Sequence, residues 1–304
     1  MKKVFNIIQY ILLFLLLYYL YKNNYFDLEF LNSFFDKKIF YIVFLFSFIT
    51  IILNSYRWLI ILRSHKFKIT FFEIFKLVYI SSFFNNILPG SYGGDLVRIF
   101  FISKIAKKNK LKISSSILLD RIYGLFGLIL LGNFIFLIVS IKYNYFNFFL
   151  IFNCISIILI FLLFIIIKKF SFLRNLAYKI KSFFEIELDI FLKCILISII
   201  LFFFVHLSIY AISKYYFELD INLLIIFFSN TISTLSSVIP ITPGGVGIAE
   251  FVYVRINQDL FNIYFSNLAN VIIYFRLSNI LTCVPSLFLF IGYKSQNIQK
   301  DKYE

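Results

Sequence analysis

Charged residues are scarce in this sequence. Asp, Glu, Lys and Arg make up 15% of the 304 residues, whereas hydrophobic residues make up 61% and the mean hydropathy is +0.91. This composition excludes an ordinary soluble globular protein. Since each membrane span needs about 20 apolar residues, the chain has room for several spans and short loops but not for a separate soluble catalytic domain. Any function is therefore expected within the membrane part.

Cysteine and recognisable catalytic motifs are also scarce. The three cysteines each lie in an apolar run, which argues against a disulfide framework and against a metal cluster. No P-loop lysine follows the glycine-rich segments, and no metal-ligand spacing or Ser/His/Asp arrangement is present. We therefore expect a protein that is not an enzyme, holds no metal or other cofactor and does not use ATP directly.

Acidic residues are half as frequent as basic ones, so the formal net charge is +15. The basic residues lie in short loops between apolar runs, where the positive-inside rule accounts for them, so nucleic-acid binding is excluded. With a cytoplasmic N-terminus, most of them fall inside, and the outside loops hold only Lys22, Lys37, Lys38, Lys142 and Lys214. This distribution predicts a multi-pass protein of the cell (cytoplasmic) membrane with both termini in the cytoplasm.

Eight apolar runs are visible, and six of them are uninterrupted and long enough to cross a membrane as a helix. The first ends in tyrosines without a small-residue cleavage site, which favours a retained helix over a signal peptide. The two remaining runs, 74–103 and 221–256, are broken at their centres by most of the ten glycines and four prolines. The six uninterrupted runs are Val4–Tyr21, Ile39–Leu62, Ile117–Ile141, Phe148–Ile167, Ile190–Ser213 and Phe265–Ile291.

The two broken runs determine the predicted topology. Both loops that flank 74–103 are basic, so this run should enter and leave from the cytoplasm as a re-entrant helical hairpin, and 221–256 should do so from the outside. Residues 1–141 and 142–304 then form the two halves of an inverted-topology repeat within a single membrane domain. The predicted fold is an all-α polytopic membrane protein with about six spanning helices and two opposed re-entrant hairpins. If each hairpin is instead a kinked full span, the chain has eight spans.

Inverted repeats of this kind occur in transporters, whose substrate sites lie near the midplane where broken helices meet. Half-helices that begin within these breaks would direct N–H groups and positive dipole ends at the membrane interior, which suits an anion such as a phosphate. The glycines can equally serve close helix packing. The breaks supply the candidate substrate-binding residues Asn86, Pro89, Gly90, Ser91, Gly93, Gly94, Asp95, Arg98, Thr242, Pro243, Gly244, Gly245, Gly247 and Glu250.

Two of these residues are expected to start a helix. Thr242 is of the type that caps a helix N-terminus, with Pro243 at the first helical position, and Ser91 is the corresponding cap in the first break. Asp95 and Arg98 are three residues apart, so a local ion pair between them is also expected.

Arg276, about halfway along the last span, completes the candidate set. A charge at that depth costs ~2.5–3.5 kcal/mol unless it is paired or hydrated. Glu250 and Asp95 are its candidate partners, and Arg276 is either a structural counter-ion or part of a phosphate site.

Four more charged residues are possible site residues: Arg57, Asp120, Arg121 and Arg255. For Arg57, snorkelling to the inner headgroups and contact with substrate remain equally open. Asp120 and Arg121 are adjacent, hence on different helix faces, and interfacial pairing is favoured for them over a catalytic role.

Four motifs resemble those of the lysylphosphatidylglycerol synthase transmembrane region family: Arg57-Trp58, residues 86–98, Asp120-Arg121 followed by Gly124-Leu125, and residues 242–250. The resemblance covers nearly the whole chain in the expected order. It implies a lipid flippase, since this region of the bifunctional members is thought to move aminoacylated phosphatidylglycerol between leaflets. Those members also carry a soluble C-terminal aminoacyltransferase domain, and the present chain resembles a stand-alone member without it. The resemblance leaves the identity of the lipid open.

The leading hypothesis is a flippase or transporter for an anionic phospholipid or a lipid-linked glycan, with the phosphate held by half-helix N-termini at the midplane. An ion-coupled small-solute transporter, similar in outline to the DedA-type membrane proteins, is one alternative. A membrane partner of a lipid-modifying enzyme or a glycosyltransferase is another. The expected partners are membrane lipids with an anionic headgroup, and a glycosyltransferase or a second copy of the chain are further possibilities.

Overall fold

The computed structural model describes residues 2–27, 29–35, 38–87, 93–106, 110–143, 188–238 and 242–291. These ranges are helical almost throughout and contain no strand. The predicted span Phe148–Ile167 lies outside them, as do Pro89, Gly90 and Ser91. The α-helices of the described ranges are α1 (Lys2–Lys22), α2 (Ile39–Ser64), α3 (Phe71–Ile87), α4 (Gly93–Ala106), α5 (Lys110–Tyr143), α6 (Leu188–Ala211), α7 (Leu223–Val238), α8 (Ile248–Phe261) and α9 (Leu268–Cys283).

Within the described ranges, four helical stretches are long and apolar enough to cross a membrane: Ile39–Ser64, Lys112–Tyr143, Leu188–Tyr216 and Leu268–Ile291. Each contains or overlaps a span predicted from the sequence. Their helical form follows from the solvent, because a spanning backbone must satisfy its own hydrogen bonds in hydrocarbon. The predicted all-α polytopic membrane fold is therefore confirmed.

Each of the two broken apolar runs forms a pair of shorter helices. In the first run α3 has 17 residues and α4 has 14, and in the second run α7 has 16 residues and α8 has 14. At 1.5 Å per residue these helices are about 21–26 Å long, which is less than the ~30 Å of a bilayer core. The two members of each pair pack against each other, so each run is a helical hairpin. The side from which each hairpin enters, and the inverted repeat, stay predictions.

Helix α2 connects the two hairpins through the hydrophobic core. Near its start, Ile39 and Val43 lie in a cluster with residues of α7, α8 and α9. Near its end, Trp58 and Leu62 lie in a second cluster with residues of α3, α4 and α5. Because α2 also packs against α6, a side chain on α2 can contact most elements of the fold.

Candidate functional site

The centre of the candidate site is the carboxylate of Asp120 on α5. It is almost completely buried, with 3% of its surface exposed. Its Oδ1 accepts a hydrogen bond from Arg57 Nε at 2.7 Å, and its Oδ2 pairs with Arg98 Nη1 at 3.3 Å. One carboxylate therefore serves two buried guanidinium groups, and it joins α2, α4 and α5.

The Arg57 guanidinium is bound by protein groups on every nitrogen. Besides the bond to Asp120, Nη1 donates to Ser198 Oγ at 2.8 Å and Nη2 donates to Asn54 Oδ1 at 2.9 Å. Gly124 of α5 lies against it, so that a Cβ there would be 3.2 Å from Nη1. The snorkelling alternative for Arg57 is thereby wrong, because neighbouring helices supply enough polar groups to hold the side chain inside the protein.

Arg98 on α4 is bound on only part of its guanidinium. Its Nε donates to Ser81 Oγ at 2.7 Å, and its Cζ lies 5.0 Å from the centroid of the Trp58 ring. The side chain is buried, with 3% exposed. In the part of the chain that the structure describes, Nη2 has no hydrogen-bond partner, so one charged donor of Arg98 is left for a ligand or water.

Asp95, at the start of α4, pairs across the fold rather than within its helix. Its Oδ2 lies 2.6 Å from Nε of Arg121 on α5. The expected local pair between Asp95 and Arg98 is therefore wrong, because each side chain reaches a partner on α5. Adjacent positions on α5 point in different directions, as expected, so Asp120 is buried while the Arg121 side chain is 38% exposed.

A polar cavity of about 220 Å³ adjoins Arg98. Arg98 is its single charged lining residue in the described ranges, and asparagines supply most of the other polar groups. We refer to this space as the Arg98 cavity. Helices α2, α3, α4, α6 and α9 line it with Thr50, Ile51, Asn54, Ser82, Asn85, Asn86, Arg98, Leu201, Asn279 and Cys283.

Gly94, near the start of α4, brings the two helices of the first hairpin together. A Cβ at Gly94 would overlap the carbonyl oxygen of Ser81 on α3. The Gly94 N–H donates to Asn85 Oδ1 at 2.9 Å. This contact caps the beginning of α4 and keeps α4 close enough for Arg98 to reach Ser81.

The second break is held together by an ion pair. Nε of Arg276 on α9 lies 2.7 Å from Glu250 Oε1, in an ion-pair contact without the alignment of a hydrogen bond. The other two nitrogens of Arg276 donate to the carbonyl oxygens of Gly244 and Gly245, each at 3.0 Å. Of the two expected partners of Arg276, the structure therefore has Glu250.

Helix α8 begins later in the second break than the sequence predicted. Pro243–Gly245 forms a short 3-10 turn, in which the Gly245 N–H bonds to the Thr242 carbonyl oxygen, and the N-cap of α8 is Gly247. Glu250 Oε2 accepts the Gly247 N–H at 2.7 Å. The expected cap at Thr242 is therefore wrong. The chain makes one more turn first, because Gly244, Gly245 and Gly247 adopt positive φ.

The two hairpins carry a matching pair of charges. In each, an acidic residue near the start of the second helix pairs with an arginine on the next long helix, 26 residues further along the chain. The first pair joins Asp95 to Arg121, and the second joins Glu250 to Arg276. This spacing is what a duplicated hairpin-plus-span unit would produce.

Arg255 lies apart from the Arg98 cavity. Its Nη2 donates to the Tyr19 hydroxyl at 2.8 Å, and Nη1 lies 3.7 Å from Asp259. It also lies over the rings of Tyr19 and Phe251. These contacts attach α8 to α1 and do not bring Arg255 to the other site candidates.

Several residues of the site were not identified from the sequence. Ser81 and Ser198 bind the buried arginines, and Asn54, Asn85 and Asn279 line the cavity. The signal that could have found the asparagines is an amide within an apolar run, since a polar side chain there needs a partner. Within the described ranges no group of three or more His, Cys, Asp or Glu side chains is placed to hold a metal ion.

These features define a polytopic helical membrane protein with two broken hairpins and buried arginines beside a polar cavity. Residues 6–293 match the family described as the lysylphosphatidylglycerol synthase TM region, and the chain belongs to that family. Membership links the protein to lipid metabolism or transport. No curated protein and no solved structure gives a significant match to the chain.

Replacement of Asp120 by Asn should strongly destabilise the protein. It leaves Arg57 and Arg98 buried without their shared counter-ion, and breaking a buried pair typically costs about 3–5 kcal/mol. Thermal unfolding of the purified protein in detergent measures the effect. Asp189→Asn is the matched control, because Asp189 forms an exposed pair with Lys193 and should leave the melting temperature unchanged. Equal and small shifts for the two variants would contradict a structural role for Asp120.

A double-mutant cycle tests the ion pair of the second break. Arg276→Met and Glu250→Gln should each lower stability, and the double variant should be more stable than additive losses predict, by about 0.5–3 kcal/mol. The recovery should be partial, because the bonds of Arg276 to Gly244 and Gly245 stay lost.

The same cycle on the exposed pair Arg255 and Asp259 serves as the control. Its side chains are 43% and 61% exposed, so the two losses should simply add. Additive losses at Arg276 and Glu250 as well would show that their contact does not stabilise the fold.

Proposed function

We propose that this protein moves an anionic phospholipid or a lipid-linked glycan between the leaflets of the membrane and binds the lipid phosphate in the Arg98 cavity. The observation that carries the proposal is a buried arginine with an unused donor beside a polar cavity, in a member of a family linked to lipid metabolism or transport. Intramembrane charges of this kind mark substrate pathways by default.

Arg98 is suited to a phosphate oxygen. Asp120 and Ser81 hold Nη1 and Nε and so fix the direction of the guanidinium, and Nη2 of this cavity-lining residue has no partner among the described residues. A phosphate that accepts this donor forms a charge-assisted hydrogen bond, about twice as strong as a neutral one. Stacking on Trp58 further restricts the arginine. Binding therefore requires little additional ordering of the side chain.

The buried charges around Arg98 do not cancel. Arg57 and Arg98, both buried, share the single carboxylate of Asp120. Excess positive charge in a low-dielectric site is unfavourable unless an anion or water compensates it. A phosphodiester carries one negative charge, which matches the excess of one positive charge when two arginines share one carboxylate.

In this proposal the second break supports the site and does not contact the phosphate. Glu250 already accepts the Gly247 N–H at the start of α8, and Arg276 is occupied by Glu250 and two carbonyl oxygens. A phosphate there would have to displace these contacts. We therefore assign the phosphate to Arg98 and give Glu250 and Arg276 a structural role.

A negative charge added inside the cavity tests the proposal and leaves every ion-paired residue in place. Asn279 lines the cavity and has no hydrogen bond to the described residues, so Asn279→Asp adds a carboxylate where the phosphate should bind. Transfer of a fluorescent anionic phospholipid in vesicles reconstituted with purified protein should fall at least tenfold. Arg98→Gln should have a similar effect, since it removes the charged donor, although it also removes the ion pair with Asp120.

Two matched variants control for surface charge. Asn23→Asp makes the same change at the exposed end of α1, and Lys193→Gln removes an exposed positive charge from α6. Both should transfer the lipid at the wild-type rate. Wild-type rates for Asn279→Asp and Arg98→Gln as well would show that the phosphate does not pass through this cavity.

A further inference from the structure

We infer that the headgroup beyond the phosphate is uncharged and rich in hydroxyl groups, and that lipids whose headgroup carries an ammonium are poor substrates. The inference rests on the proposed function, because it states which anionic lipids the same cavity selects.

The hydrogen-bonding groups that face the Arg98 cavity are mixed donors and acceptors. Asn54 and Asn85 use their amide oxygens for Arg57 and Gly94, which leaves their NH₂ groups as donors. Asn86 uses its NH₂ group for Cys283 Sγ, at 3.9 Å, which leaves its oxygen as an acceptor. Asn279 offers both kinds of group.

Two hydroxyl groups of the lining add acceptors. Thr50 donates its proton to the Ser47 carbonyl oxygen at 2.7 Å, and Ser82 donates to that of Val78 at 2.8 Å. The lone pairs of both hydroxyl oxygens stay available. A ligand hydroxyl both donates and accepts, so a polyol can satisfy this set, whereas an ammonium only donates.

Charge separates the two headgroup classes more strongly than hydrogen bonding does. None of the described residues that line the cavity is acidic. The nearby carboxylates are committed, Asp120 to two arginines and Asp95 to Arg121. An ammonium in the cavity would lie near Arg98 with no protein counter-charge, and like charges in a poorly solvated site repel.

Competition between lipids tests the inference. Phosphatidylglycerol and phosphatidylinositol share a phosphodiester and carry uncharged polyols of different size, whereas phosphatidylethanolamine and lysylphosphatidylglycerol add ammonium groups. In vesicles reconstituted with the full chain, the two polyol lipids should be transferred, and should compete with a fluorescent phosphatidylglycerol, at least tenfold better than the two amine lipids. The size difference between the polyols controls for simple exclusion by volume.

Binding can be followed separately from transfer. Trp58 is the chain's single tryptophan and contacts Arg98, so its fluorescence in phosphatidylcholine nanodiscs should change saturably as phosphatidylglycerol is added. The amine lipids should need at least tenfold higher concentrations. Asn279→Asp supplies the missing carboxylate and should shift the preference toward lysylphosphatidylglycerol by tenfold or more.

The outcomes distinguish the two proposals. Equal transfer of phosphatidylglycerol and lysylphosphatidylglycerol would overturn the inference about the headgroup while leaving the proposed function intact. Preferential transfer of the amine lipids would overturn it as well. Failure to transfer any of the four lipids, and a lipid-linked glycan as well, would overturn the proposed function, and the headgroup inference with it.

Discussion

The shared carboxylate of Asp120 is the interaction on which the candidate site depends. It holds Arg57 of α2 and Arg98 of α4 at the same time, and Arg57 in turn reaches Ser198 of α6. In hydrocarbon surroundings each guanidinium would be unfavourable alone, so the helices that carry these groups must assemble around the carboxylate. The same sharing leaves Arg98 incompletely neutralised, and one interaction thereby joins the fold to a site for an anion.

The two hairpins share an acid–arginine pair but differ in the contacts that surround it. Each is anchored to the next long helix by an acid–arginine pair of the same spacing. In the second hairpin, Glu250 also accepts the Gly247 N–H at the start of α8. Arg276 also donates to two glycine carbonyl oxygens, so protein groups occupy the charged side chains of this break. In the first hairpin a neutral amide, Asn85, caps the helix, and Nη2 of Arg98 has no partner in the part of the chain that the structure describes. The difference explains why we place a ligand at only one of two related breaks.

The long apolar runs could be predicted as helices because bilayer thickness and backbone hydrogen bonding leave little choice. Which charged side chains form ion pairs could not be predicted in the same way. Spacing along a helix favoured Asp95 with Arg98, yet both bind residues of α5, because packing decides which side chains meet. The N-cap of α8 is Gly247 and not the predicted Thr242, because three glycines with positive φ form an extra turn. The presence of glycines in the sequence does not by itself predict that turn. The cavity combines five helices, so no single segment could reveal it.

A structure of the protein in nanodiscs that contain phosphatidylglycerol would test the central claim most directly. The account predicts a phosphate within hydrogen-bond distance of Arg98 Nη2, with the glycerol hydroxyls against Asn54 and Asn279. It also predicts that Arg276 keeps its contacts with Glu250 and the two glycine carbonyl oxygens. A phosphate bound at Arg276, with the Arg98 cavity holding only water or acyl chain, would contradict it.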